Sequence, residues 1–209
     1  MAKINLPRQD HYDVARDKAL AELKEHYDTE RLSLLGADVT AEGTLELSSL
    51  GWRLGVSLEP FSMVLRPGGE PCSIVWQILV LNYLCAAPPR TPERFLSFAD
   101  FKEGRTYLKV FDARVTKRLS RKVGRDAGEF RRAAQRNAGT LGGKRPLNYV
   151  FRFFPRFELQ VVWHEGDEDF PPSCNVLFPE NALEILTTEV IIVAAERLVS
   201  SLEGKRPCD

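Results

Sequence analysis

The run Trp163-His164-Glu165-Gly166-Asp167-Glu168-Asp169-Phe170-Pro171-Pro172 sets one imidazole beside four carboxylates in a short stretch between apolar segments. Like charges this close must be solvated, paired with cations or bound to a metal. No Lys or Arg occurs between Arg156 and Arg197, so any cation must come from elsewhere in the fold. Oxygen-rich loops of this kind bind Mg²⁺ or Ca²⁺, but the spacing departs from the calcium-loop pattern and lacks its closing bidentate Glu. Three readings stay open: a solvated turn or an acidic face docked on the chain's own basic helices, a ligand or partner contact, and a metal-dependent enzyme using His164, Asp167 and Glu168.

The counterpart lies upstream. Arg114, Lys117, Arg118, Arg121, Lys122, Arg125, Arg131, Arg132, Arg136, Lys144 and Arg145 meet only Asp126 and Glu129 over the same span. Arg114, Arg118, Arg121 and Arg125 fall on one helical stripe beside an apolar one formed by Phe111, Val115, Leu119 and Val123. Such an edge is a solvated helix face, a seat for an anionic small molecule or protein partner, or a contact for a nucleic-acid backbone. Gly142-Gly143-Lys144-Arg145 does not complete a nucleotide-hydrolase loop, because no earlier part of that pattern precedes it and Pro146 follows.

Nucleophilic catalysis finds little footing. The histidines are His11, His26 and His164, and Ser173 and Cys174 sit too near His164 in sequence to define a triad. Cys72, Cys85, Cys174 and Cys208 are scattered, without a C-x-x-C pair or a histidine at zinc-finger spacing. They read as reduced thiols, mostly small buried hydrophobes, with one in a mobile tail. Trp52, Trp76 and Trp163 read as core or half-buried residues, with Trp163 also placed to border a ligand.

The elements that must position these groups follow from periodicity. Apolar residues at helical spacing predict an opening helix from Asp10 to about Leu35, through Val14, Ala15, Ala19, Leu20, Leu23 and Tyr27. Short alternating runs between Thr44 and Arg66 predict an antiparallel meander. Ile74 to Ala86 is apolar nearly all round and predicts a buried central helix, stopped by Pro88-Pro89. Arg90 to Gly104 reads as an irregular segment pinned by Phe95, Phe98 and Phe101. Two basic helices follow, Thr106 to Val123 and Asp126 to Asn137, the second with Asp126 as N-cap. Asn148–Phe154 and Phe157–Trp163 read as strands bent at Pro155, with a further strand at Asn175–Phe178. A short helix at Glu180–Leu186 and a terminal one at Glu189–Leu202 complete the list.

With 209 residues, 44% hydrophobic and 28% charged, the chain suits one domain with a substantial core. Twenty-nine basic residues balance twenty-nine acidic ones, so net charge draws the molecule to neither nucleic acid nor an anionic membrane. The longest apolar run, Ile74 to Ala87, is shorter than the roughly 18 to 20 residues that cross a bilayer. The N-terminus carries no apolar stretch leading to a cleavage site, and a cytoplasmic location is expected.

The order and spacing of several landmarks resemble those of the prokaryotic proteins grouped as domain of unknown function 3786, over nearly the whole chain. The landmarks include Ile78-Leu79-Val80-Leu81-Asn82-Tyr83-Leu84, Phe98, Gly104, Tyr107, Phe111, Leu119, Gly124 and Phe130. They continue through Gly142-Gly143, Phe154-Pro155-Arg156, Trp163, Asp167-Glu168-Asp169-Phe170-Pro171, Leu177-Phe178, Ala182 and Thr188-Glu189. Family members tend to carry an acidic residue where this chain has Pro179, and another where it has Val190. Some relatives look like fusions to a cysteine-rich iron-sulfur segment in organisms with anaerobic one-carbon and corrinoid metabolism. The resemblance therefore implies a binding or accessory domain near redox cofactors, although these 209 residues include no such segment.

The expectation is an α+β single domain with antiparallel strands, a buried central helix, a basic helical pair and a C-terminal helix. Candidate residues for binding a ligand or partner are Arg114, Arg118, Arg121, Arg125 and Arg156, with Trp163, His164, Asp167, Glu168 and Asp169. No catalytic or metal-ligating set and no cofactor is assigned.

Overall fold

The computed structural model describes residues 9–143 and 147–209. Most of the lead expected to be flexible, residues 1–8, lies outside the described residues, as do Lys144 and Arg145 of the basic region. The fold is a single α+β domain built on two antiparallel sheets.

Helices α1 (Gln9–Glu25) and α2 (Thr29–Leu34) replace the one opening helix that periodicity predicts. The cause is Asp28, whose carboxylate accepts from the backbone N–H groups of Glu30 and Arg31 at 2.9 and 3.3 Å and starts a new helix. The buried stripe of α1 is also narrower than expected: Ala19 and Leu23 are buried, while Val14 is 69% exposed.

The meander forms as alternation predicts. Strands β1 (Asp38–Val39), β2 (Leu45–Ser49), β3 (Trp52–Leu58) and β4 (Phe61–Arg66) pair in chain order, β1 being the addition. The β2–β3 turn puts Leu50 and Gly51 at φ of 49° and 83°, a conformation a leucine seldom adopts. Burial of the Leu50 side chain and donation of its N–H to the Arg152 carbonyl at 3.1 Å hold it there. The neighbouring Ser49 hydroxyl donates to the Phe153 carbonyl, so this hairpin tip fastens the first sheet to the second.

Helix α3 (Ile74–Cys85) is the predicted central helix, with Trp76, Leu79, Tyr83 and Leu84 all buried. Trp76 stacks on Phe153 at 5.4 Å between ring centres and Tyr83 on Phe154 at 4.5 Å, which locks α3 onto the second sheet.

That sheet runs β5-β9-β8-β7-β6, from β5 (Phe95–Ser97), β6 (Thr140–Leu141), β7 (Asn148–Phe154), β8 (Phe157–His164) and β9 (Ser173–Pro179). The segment expected to be irregular thus supplies an edge strand. Phe98 follows in a 3₁₀ turn and stacks on Phe111 at 4.4 Å, with Phe178 tilted against both rings.

The first basic helix is α4 (Gly104–Phe111), a wide π turn (Asp112–Thr116) and α5 (Lys117–Lys122) in succession. The second is α6 (Ala127–Arg136), whose cap Asp126 accepts from the Glu129 N–H at 2.7 Å, as predicted. Helices α7 (Ala182–Ile185) and α8 (Thr188–Leu202) close the domain. The residues after α8, expected to be a flexible tail, return to the body: Ser73 gives both its N–H and its hydroxyl to the Pro207 carbonyl, and Arg206 clasps Glu70. Among the described residues no helix is long and apolar enough to cross a membrane.

Candidate functional site

The basic helix meets α8 along its π turn, and this contact decides what its arginines do. Arg118 grips Glu203 through two nitrogens, Nε to Oε1 at 2.9 Å and Nη2 to Oε2 at 2.6 Å, and Nη2 also donates to the Ser200 hydroxyl. Arg114 Nε lies 2.7 Å from Oε1 of the buried Glu196, though without the alignment of a hydrogen bond. Burial pushes the Glu196 carboxyl above the usual carboxylate range, against the pull of Arg114, Arg197 and Arg118. Arg121 donates to the Lys117 carbonyl of its own helix, and Arg125 is exposed beyond the helix end. The predicted stripe is therefore split: Arg114, half-exposed, and Arg118 serve the α8 contact, while Arg121 and Arg125 are exposed with no carboxylate partner among the described residues.

The acidic loop joins β8 to β9, with His164 opposite Ser173 at its neck. The neck docks on the end of α5: Trp163 Nε1 donates to the Gly124 carbonyl at 2.8 Å, and the Cys174 N–H to the Ser120 hydroxyl at 3.0 Å. The loop is thus rooted beside the basic helix, but its charges are not spent there. Asp167 uses one carboxylate oxygen to accept from the Asp169 and Phe170 N–H groups at 2.9 and 2.8 Å, shaping a local turn. Glu168, Asp169 and His164 are exposed. Among the described residues, no cation lies within ion-pair distance of the loop's carboxylates and no three His, Cys, Asp or Glu side chains form a ligand cluster. The basic edge takes its carboxylates from α8 instead of this loop, because α8 packs along the helix while the loop touches it only at the neck.

Arg156 belongs to another region. It sits in the β7–β8 turn, and the eight residues of β8 separate it from His164 by roughly 26 Å at about 3.3 Å each. Its Nε donates to the Leu34 carbonyl at 3.1 Å and its N–H to the Tyr83 hydroxyl at 3.0 Å.

A groove of about 350 Å³ lies between the end of α5, the face of α6 and the end of α8. Lys122, Arg136 and Lys205 reach it from three elements, with Glu129 and Glu203 in its walls. Glu203 is already held by Arg118, and the buried Asn137 amide ties α6 to α8 through the Ser201 carbonyl at 3.1 Å, so the walls are braced. Lys205 escaped the sequence reading because the residues after Gly204 look like a tail. Its position just past the last turn of a helix, where cations favour the exposed carbonyls, was the available signal.

The family model described as a domain of unknown function (DUF3786) matches residues 29–201. The chain belongs to that family. No curated protein and no solved structure matches it. Within the fold, many residues that carry the family resemblance are packing pieces. Phe98, Phe111 and Phe178 form one aromatic cluster, and Gly124 and Trp163 form the joint under the acidic loop. Tyr107 and Glu189 meet through a 3.2 Å hydrogen bond from the phenol to the carboxylate.

Proposed function

We propose that this DUF3786 chain is a binding module that takes an anionic group, borne by a small molecule or a protein partner, in the groove between α5, α6 and α8. The observation that carries this reading is that Lys122, Arg136 and Lys205 converge on one groove with no carboxylate within salt-bridge distance among the described residues. Arg118 already takes Glu203, so the three cations face one remaining wall carboxylate, Glu129, and the excess positive charge favours an added anion. The groove's volume suits a compact ligand rather than a long chain. A cofactor bearing phosphate or carboxylate arms fits the redox and one-carbon setting that the family resemblance implies.

Nucleic acid is the second reading, favoured by the exposure of Lys117, Arg121, Lys122, Arg125, Arg131, Arg132 and Arg136 on neighbouring helices. Against it stands the acidic loop, rooted at Gly124 where a polyanion following α5 would pass. Calorimetric titration with inorganic tripolyphosphate and with a single-stranded polynucleotide, across a chloride series, separates the two. Saturable tripolyphosphate binding with a shallow salt dependence is expected. Polynucleotide binding alone, with a steep salt slope, transfers the function to the second reading, and no saturable binding of either removes both.

A further inference from the structure

A second concavity, of about 190 Å³, opens at the turn end of the β7–β8 hairpin, remote from the basic groove. Arg90 enters it from the loop after α3, Arg152 from β7 and Arg156 from the hairpin turn. Pro89, Pro92 and Pro155 form its walls, and their rings fix the backbone there without offering N–H groups. The hairpin turn is further fixed by the bond from the Arg156 N–H to the Tyr83 hydroxyl.

The three guanidiniums are not equivalent. Arg90 is committed to Glu180, with Nη1 2.9 Å from the carboxylate. Arg156 spends Nε on the Leu34 carbonyl, and its two terminal nitrogens have no hydrogen-bond partner among the described residues. The carboxylate nearest Arg152 is Glu158 at 3.8 Å, beyond hydrogen-bond length. Two guanidinium faces are therefore available in a small, stiff-walled pocket that a single carboxylate, Glu158, borders.

We propose that this pocket binds one small oxyanion, a phosphate or carboxylate group, through the terminal nitrogens of Arg152 and Arg156, with the Thr91 hydroxyl as a further donor. The guanidinium fork matches both groups, because each presents paired oxygens at the spacing of two parallel N–H bonds. Arg90, held by Glu180 at 2.9 Å and within 3.6 Å of Glu184, borders the rim with its charge already paired.

The test is calorimetric titration of the full chain with inorganic phosphate and, in a separate arm, succinate, which distinguishes a phosphate-bearing ligand from a carboxylate-bearing one. At least one probe is expected to bind saturably, with affinity falling about tenfold or more in Arg152→Gln and again in Arg156→Gln. The Arg152 side chain is 70% exposed, so that variant keeps the fold even where loss of the Leu34 bond makes the Arg156 variant unstable. Both arms are repeated in Lys122→Glu/Arg136→Glu, which removes the basic groove's own contribution, so saturable binding that survives there and is lost on adding Arg152→Gln belongs to this pocket. Absence of saturable binding in both arms, an Arg152→Gln affinity equal to that of the native chain, or loss of binding in the groove variant instead would each overturn the assignment.

Discussion

Arg118 and Glu203 form a two-nitrogen, two-oxygen clasp between the basic helix and the last turn of α8, at 2.9 and 2.6 Å. Both side chains are largely shielded, at 27% and 16% exposure, so water screens this pair less than it screens the surface arginines nearby. The clasp neutralises one wall of the basic groove and leaves Lys122, Arg136 and Lys205 facing a single unclasped carboxylate, Glu129.

Arg118→Ala should therefore destabilise the domain by about 1.5 to 3 kcal/mol, the range for hydrogen bonds to charged groups. Arg121→Ala, which removes only a bond to its own helix, should cost under about 0.5 kcal/mol. Denaturant titrations of the two variants check the contrast, and equal midpoints would place the clasp in the solvent-screened class.

Gly124 has no room for a side chain: a β-carbon there would lie 2.4 Å from the Cys174 sulfur. Gly124→Ala should cost about 1 to 3 kcal/mol by overpacking. Cys174→Ala takes the sulfur away, so the double variant should be less destabilised than the sum of the single ones. A double-mutant cycle by chemical denaturation reads this directly, and strict additivity would contradict the packing described.

The buried thiols make a pH prediction. Burial pushes Cys72 and Cys174 up to about 12 and Cys85 up to about 11, from an ordinary value of 9.0. A raised folded-state value means the native chain keeps protons that the unfolded chain releases, so stability holds below about pH 9 and falls as pH rises towards 12. Midpoints measured from pH 8 to 11 should decline, and Cys174→Ala should lessen the decline. In the native state Cys208, half-exposed beside Arg206, should alkylate before Cys72 and Cys174.

Legibility from sequence followed the strength of local signals. The unbroken apolar run gave α3, the Asp126 cap gave α6, and alternation gave the meander, because each is fixed by neighbours in the chain. The break at Asp28 was missed since a buried stripe continues across it, through Leu23 to Leu32. Strand β5 was missed because Phe95-Leu96-Ser97 is too short to show a period and exists by pairing with distant β9. Charge density marks the basic helices but not which of their arginines α8 pairs. Which arginines remain free depends on where Glu196 and Glu203 arrive from α8, more than 80 positions away for Arg118 and its partner. The wide π turn at Asp112–Thr116 adds a local change of pitch that a regular helical stripe does not anticipate.

Anion binding by the groove's three cations is the property on which the proposed function rests. Its most direct measurement is calorimetric titration of tripolyphosphate into the native chain and into Lys122→Glu/Arg136→Glu, both exposed positions whose reversal leaves the core untouched. Affinity should fall at least about a hundredfold while the denaturation midpoint stays put. An unchanged dissociation constant in the double variant would contradict it.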